Sequence, residues 1–168
     1  GFFHTGDIGQ FTKDGVIQII DRKKNLVKLK GGEYVAIEAM ETAFKASKYV
    51  TALCVVANGD LDGPLAIVCT ENGALQSWAN EQGLSGTSPE ELASSKQARE
   101  EVIKGMIVEG KRAGWTSLEL RIKDCCLITE DEWTPGHGMT ASMKLDRKAI
   151  YKIHEKELNA MYLRQGVS

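Results

Sequence analysis

Asp7 directly follows Gly6 in the stretch GFFHTGDIG, ahead of a run that reads as ordinary hairpin sequence. A carboxylate beside a turn offers acceptors to two donors at once, but spacing alone gives it no partner. Further on, DRKKNLVKLK holds Arg22, Lys23, Lys24, Lys28 and Lys30 within ten residues. Such a run forms either a solvated strand-and-turn face or, through its charge and planar Arg donors, a surface for phosphate. It lacks the interleaved aromatics of a nucleic-acid surface, and no nucleic-acid partner is expected. Lys144 stands at the end of a Gly/Thr/Ser-rich loop and at the expected start of a helix. There an ammonium opposes the helix macrodipole by about 0.3–1 kcal/mol, so Lys144 reads either as a functional lysine or as a surface one.

The other reactive side chains are scattered. His4, His137 and His154 have no partner at metal-ligand spacing, so each is expected in a loop or at the surface, and no metal site is expected. Cys54, Cys69, Cys125 and Cys126 show no C-x-x-C spacing; the first two lie in apolar runs, read as buried thiols, and point to a reducing compartment. The chain has no G-x-S-x-G elbow, no G-x-x-x-x-G-K-[ST] and no strand-associated G-x-G-x-x-G, hence no phosphate-cradling loop of its own.

The elements that must position these residues follow from period and turn chemistry. VIQII (16–20) and LVKLK (26–30) read as strands, with Asp14-Gly15 as a turn signal and Gly31-Gly32 as a break where backbone turns or something approaches closely. From Ala36, Ile37, Met40 and Phe44 fall at helical spacing, predicting a helix to Ser47. TALCVVA (51–57) and PLAIVCT (64–70), joined by NGDLDG, predict a β-hairpin with both strands central. Helices are expected from Ala74 to Gln82, from Ser88-Pro89 onward and through Val102, Ile103, Met106 and Ile107 to Gly114, followed by strands at 118–122 and 125–128. TEDEWTPGHGMTAS reads as a long exposed loop, and a last helix begins near Lys144. This order predicts an α+β fold, a small, mostly antiparallel sheet with flanking helices.

With 168 residues, 42% hydrophobic and 26% charged, the chain has the profile of one soluble globular domain able to bury a core without disulfides. It contains no apolar run of membrane-spanning length and no signal-peptide pattern at its start. The missing initiator Met reads as a segment of a longer protein.

Three stretches resemble one family in order: GFFHTGDIG, then DGVIQIIDRKKNLVKLKGGEYVAIEAME, then WTPGHGMTASMKLDRKAI. They are similar to the carboxy-terminal part of acyl-adenylate-forming ligases, specifically the long-chain fatty acyl-CoA synthetase branch. GGEYVA, the W-T-P loop and the helical insertion between about 73 and 114 point to that branch. The resemblance implies residues 1–24 as the end of a large AMP-binding domain with its hinge, and 25–168 as a mobile lid domain. It implies fatty acid activation with ATP and Mg to an acyl-adenylate, then acyl transfer to coenzyme A.

Carried over by position, Asp7 and Arg22 match residues that hold the ribose of ATP, Lys24 the hinge, and Lys144 the adenylation lysine. Lys28, Gly31, Gly32 and Glu33 match the segment lining the CoA tunnel. Asp21 and Met143 stand where many relatives carry glycine. The implied partners are the large amino-terminal domain and the substrates, with membrane association through the full-length protein. The implied location is intracellular, in the cytosol or at an intracellular membrane. The chain alone is expected to be inactive. The alternative is a stand-alone CoA- or nucleotide-binding or interaction module without turnover.

Overall fold

A computed structural model describes residues 1–115, 120–129 and 132–167. The chain opens with β1 (Asp7–Phe11) and β2 (Ile17–Arg22), an antiparallel hairpin turned at Asp14-Gly15, followed by a 3-10 turn at Lys23–Asn25. A second small hairpin, β3 (Leu26–Lys28) with β4 (Tyr34–Ala36), leads into α1 (Ile37–Phe44). Next come β5 (Val50–Val56), β6 (Leu65–Thr70), α2 (Asn72–Glu81), α3 (Pro89–Ser94), α4 (Lys96–Arg112) and β7 (Asp124–Ile128). The chain ends with β8 (Thr134–Pro135), β9 (Gly138–Met139), α5 (Arg147–Ile153) and α6 (Glu155–Arg164).

The central sheet has the order β5-β6-β7. β5 and β6 pair antiparallel, while β7, reached through the helical crossover α2–α4, lies parallel to β6. A crossover of that length is what a parallel neighbour requires. The sheet is covered on both faces. Leu53, Val55, Val68 and Leu127 point to one side, against Met40 and Phe44 of α1 and Val102 and Met106 of α4. Cys54, Val56, Ile67 and Cys126 alternate to the other, against Trp133, Ile150 of α5, and Leu158 and Met161 of α6. Each large apolar side chain so buried contributes about 1.5–3 kcal/mol.

The expected α+β architecture is present, with several corrections. Only β6 is central; β5 is an edge strand among the described residues, and its continuous apolar run reflects burial of both faces. The expected strand at 118–122 is absent at Leu120–Ile122, which are irregular although Ile122 is buried; 118 and 119 lie outside the described residues. The stretch read as an exposed loop is folded where described. Trp133 is 5% exposed and donates from Nε1 to His154 Nε2 at 3.0 Å.

His154 is therefore buried between α5 and α6, not at the surface, and one helix becomes two. Gly138 (φ +82) lies under the Trp133 ring, where a Cβ would come within 2.8 Å of Cγ. Helix starts carry the capping chemistry that the sequence suggests: Ser88 and Glu91 form a reciprocal capping box with Pro89 in the first turn of α3. No described helix is long and apolar enough to cross a membrane.

All four cysteines are buried. Burial, reinforced by the charge of Glu41, pushes the Cys54 thiol up to about 12; burial likewise pushes Cys126 up to about 12 and Cys125 well above its ordinary value. These thiols should not react with a chromogenic aromatic disulfide at about pH 8 in the native protein, and all should react after denaturation. Because the folded-state values lie above that of an unfolded thiol, the unfolded chain releases protons first. Stability should therefore fall as pH rises from about 9 towards 12, a loss that chemical denaturation across that range would measure.

Candidate functional site

The sequence-predicted residues fall in three places. In the first, a β-bulge between Ile8 and Gly9 sets the β1–β2 register so that Asp7 lies directly across from Arg22. Gly6 takes a positive φ of 81°, and its carbonyl accepts the Lys23 N–H at 2.7 Å, extending the pairing past Asp7. Thr5, Gly6, Asp7, Arg22, Lys23 and Lys24 line an open cleft of ≈ 700 Å³. A carboxylate and a guanidinium on neighbouring strands thus face the same solvent space, an acceptor and a donor set side by side.

Lys24 is exposed in the 3-10 turn that follows. Asp21 braces that turn: its Oδ1 accepts from the Arg22 N–H at 2.6 Å and from Nδ2 of the buried Asn25 at 2.8 Å. Asp21 is thus a local clasp. Its signal in the sequence was the Asp–Asn pair flanking a basic tripeptide, residues prone to side-chain-to-backbone turns.

The second place is the β3–β4 hairpin, which brings Lys28, Gly31, Gly32 and Glu33 into one tight turn. The turn is closed by the Gly32 N–H donating to Leu29 O at 2.9 Å and the Leu29 N–H to Glu33 O at 2.8 Å. Gly32, at φ +89, is the residue whose conformation demands glycine, whereas Gly31 meets only the Glu33 side chain. Glu33 also pairs with Arg121 at 3.5 Å, tying the turn to the segment before β7. The Lys30 N–H donates to Leu61 O at 3.1 Å.

Lys144 occupies the third. It is not at a helix N-terminus: α5 begins at Arg147 with Asp146 as its cap, so the expected macrodipole conflict falls on Arg147 instead. Lys144 closes a tight turn in which its N–H donates to Thr140 Oγ1 at 3.2 Å and its carbonyl accepts from the Thr140 N–H at 2.8 Å. Met139 and Leu145 bridge the base, and the Asp146 N–H donates to Gly138 O at 2.9 Å. Met143, 65% exposed, sits at φ 59 in the left-handed region. The Lys144 side chain is presented to solvent at the tip of this hairpin, and nothing described joins it to Asp7 or Arg22.

Sequence reasoning missed the group that anchors this hairpin. Arg147 Nη1 and Nη2 donate to Glu41 Oε1 and Oε2 at 2.6 and 2.8 Å, and Nη1 also reaches Val55 O at 3.2 Å and Cys54 Sγ at 3.3 Å. Glu41 Oε1 further accepts the Val55 N–H at 2.7 Å. Burial pushes the Glu41 carboxyl above its ordinary range, against the opposing pull of Arg147 and of the Val55 N–H. The available signal was a glutamate on the apolar stripe of a helix, one residue after Met40.

No protein-family model matches the chain. It is 38% identical over 167 residues to long-chain-fatty-acid–CoA ligase 1 of Schizosaccharomyces pombe, a match covering 96% of the chain and 24% of the relative. It is 37% identical to long chain acyl-CoA synthetase 8 of Arabidopsis thaliana and 36% identical to long-chain-fatty-acid–CoA ligase 4 of Saccharomyces cerevisiae, over 22% and 24% of their lengths. The chain thus spans about a quarter of these relatives. Among solved structures, the A domain of a carboxylic acid reductase from Segniliparus rugosus, determined with AMP and a carboxylic acid, superposes with a TM-score of 0.73 at 21% identity. That match covers 98% of the chain and 24% of the structure. A carboxylate reductase adenylation domain from Mycobacterium chelonae gives 0.71 at 24% identity, over 97% of the chain and 23% of the structure. The fold is that of adenylate-forming enzyme domains.

Met143→Gly should stabilise the chain slightly. Relief of the left-handed conformation, about 1–2 kcal/mol, exceeds glycine's entropic cost of about 0.5–1 kcal/mol, and the exposed Met143 side chain gives up little packing. A melting temperature higher by a few degrees, read by circular dichroism, is the expected result.

Proposed function

From its homology with the long-chain fatty acid–CoA ligases, about a quarter of whose length it spans, we propose that this chain is the mobile carboxy-terminal part of such an enzyme. The observation that carries this reading is that one homologous chain keeps a cross-strand Asp7–Arg22 pair at an open cleft and a lysine at the tip of a separate, anchored hairpin. A binding module without turnover has use for the first and none for the second.

In this reading Asp7 accepts hydrogen bonds from the ribose hydroxyls of ATP and Arg22 donates to the same sugar. The fatty acid carboxylate oxygen attacks the α-phosphorus, the bond to pyrophosphate breaks, and the Lys144 ammonium stabilises the charge gathered on the reacting oxygens. The domain then turns about Lys24. The Gly31-Gly32 hairpin, with Lys28 and Glu33 beside it, comes to line the CoA path, and the thiol displaces AMP from the acyl carbon. Closure of this kind assembles a site and excludes water. In this reading Mg accompanies the triphosphate and is held mainly by the rest of the enzyme.

The β1–β2 hairpin supports a larger body on that side. Phe11, Val16, Ile17 and Ile19 are 61–75% exposed, apolar side chains that the rest of the large domain would cover with residues 1–24 as its end. The enzyme so completed acts inside the cell, in the cytosol or at an intracellular membrane, on fatty acid, ATP and coenzyme A.

In the complete enzyme, Lys144→Ala should lower fatty-acid-dependent pyrophosphate exchange by about 100-fold or more. Thioester formation from preformed acyl-adenylate and CoA should stay near the wild-type rate. Asp7→Ala should raise the KM for ATP by about tenfold, the worth of a charged hydrogen bond. Normal exchange by the Lys144 variant would remove this lysine from the mechanism and the proposal with it.

A further inference from the structure

Arg147 and Glu41 take no part in the chemistry proposed above, yet they make a densely bonded charged group where the lysine hairpin is anchored. Arg147 follows Lys144 by three residues and is the first residue of α5. Its guanidinium reaches back through the chain fold to α1 and to the outer edge of β5, making both carboxylate bonds and a third to Val55 O. Glu41 takes the Val55 N–H, so the pair bonds to both backbone groups of one edge-strand residue, as a neighbouring strand would. The lysine hairpin is held at its other limb by Gly138 O, and Gly138 in turn is pinned beneath Trp133.

A guanidinium at a helix N-terminus is electrostatically misplaced, and a buried ion pair is a poor source of stability compared with apolar packing. Stability alone gives no reason for it. What the pair does supply is a fixed distance and direction between the sheet edge and the segment carrying Lys144, since a bidentate Arg–carboxylate contact tolerates one geometry.

We propose that Glu41 and Arg147 are positioning residues for Lys144: they register its hairpin against the edge of β5, so that movement of the whole domain delivers the ammonium to one place. The inference rests on the adenylation role proposed for Lys144, and neither residue touches substrate. Lys148 and Glu38 lie nearby in sequence but are exposed and cannot replace the contact.

The test is a double variant designed to fold. Glu41→Gln leaves an amide whose oxygen still accepts the Val55 N–H and whose nitrogen can donate to Val55 O, and Arg147→Met fills the space of the arginine stem without a charge. In the complete enzyme this variant should melt near the wild-type temperature and keep thioester formation from preformed acyl-adenylate. Its pyrophosphate exchange should fall by about 100-fold, the cost of misplacing a reacting group by about 1 Å. Arg147→Lys should fall similarly, because a single ammonium cannot make the bidentate contact.

Amide hydrogen exchange at Thr140–Asp146 gives a readout independent of catalysis: protection there should drop in the double variant, with α4 and β6 unchanged. Normal pyrophosphate exchange would overturn the proposal, as would equal loss of both half-reactions or unchanged protection of the hairpin. If Lys144→Ala itself leaves adenylation intact, the proposed function fails. Unchanged hairpin protection then overturns the registering role separately, and lost protection upholds it.

Discussion

The bonding of Val55 to Glu41 and Arg147 joins three parts of the chain that no hydrophobic contact could align so narrowly. The contact couples α1, the edge strand β5 and the start of α5 through one carboxylate and one guanidinium. An edge strand with an open N–H and C=O invites pairing with another chain, and here those groups at Val55 are already used. Taking one partner away would leave an uncompensated buried charge, a loss of about 3–5 kcal/mol, so the pair tolerates change only as a unit. The same geometry that blunts the edge also dictates where the preceding hairpin can stand.

A second clasp works on the opposite edge of the sheet. Asp124, first residue of β7, receives Arg164 Nε of α6 at 2.5 Å and lies 3.6 Å from Arg99 Nε of α4, while its Oδ1 accepts the Cys125 N–H at 2.8 Å. One carboxylate therefore ties together the helical layers on the two faces of the sheet. Apolar alternation fixes which face each strand residue sees, but it permits the helices to slide. The two arginine–carboxylate clasps, at β5 and at β7, remove that freedom at both edges of a three-stranded sheet too narrow to do so by area alone.

What was legible in the residues was whatever depends on local period and turn chemistry. The β5–β6 hairpin, the helical face of Met40 and Phe44, and the Ser88-Pro89 start follow from patterns a few residues long. So does the turn at Asp14-Gly15, whose hairpin then brings Asp7 across from Arg22. Features set by distant partners were not legible. An uninterrupted apolar strand looks the same whether it is central or an edge covered on both faces. Glu41 reads as one more charge on a helix until Arg147 is seen beside it. His154 and Trp133, twenty-one residues apart, meet only because the W-T-P segment folds back under α5, bridging what looked like an exposed loop and a continuous helix. The start of that helix was misplaced by three residues because Asp146, its cap, lies within a run of charges that hides the signal.

The placement of Lys144 follows from these constraints. A flexible loop would let an ammonium find an anion by search, at the cost of ordering it at each turnover. Here the order is present beforehand: a threonine hydroxyl and two backbone bonds close the turn, Met143 holds an unfavourable left-handed φ to complete it, and the segment leaving the turn is fixed within three residues to the sheet edge. The backbone of the turn is thereby fixed while the side chain of Lys144 extends into solvent. For the rotating domain proposed above this division is an advantage, because the accuracy of the final position then depends on the rigidity of the carrier and not on the reach of the loop.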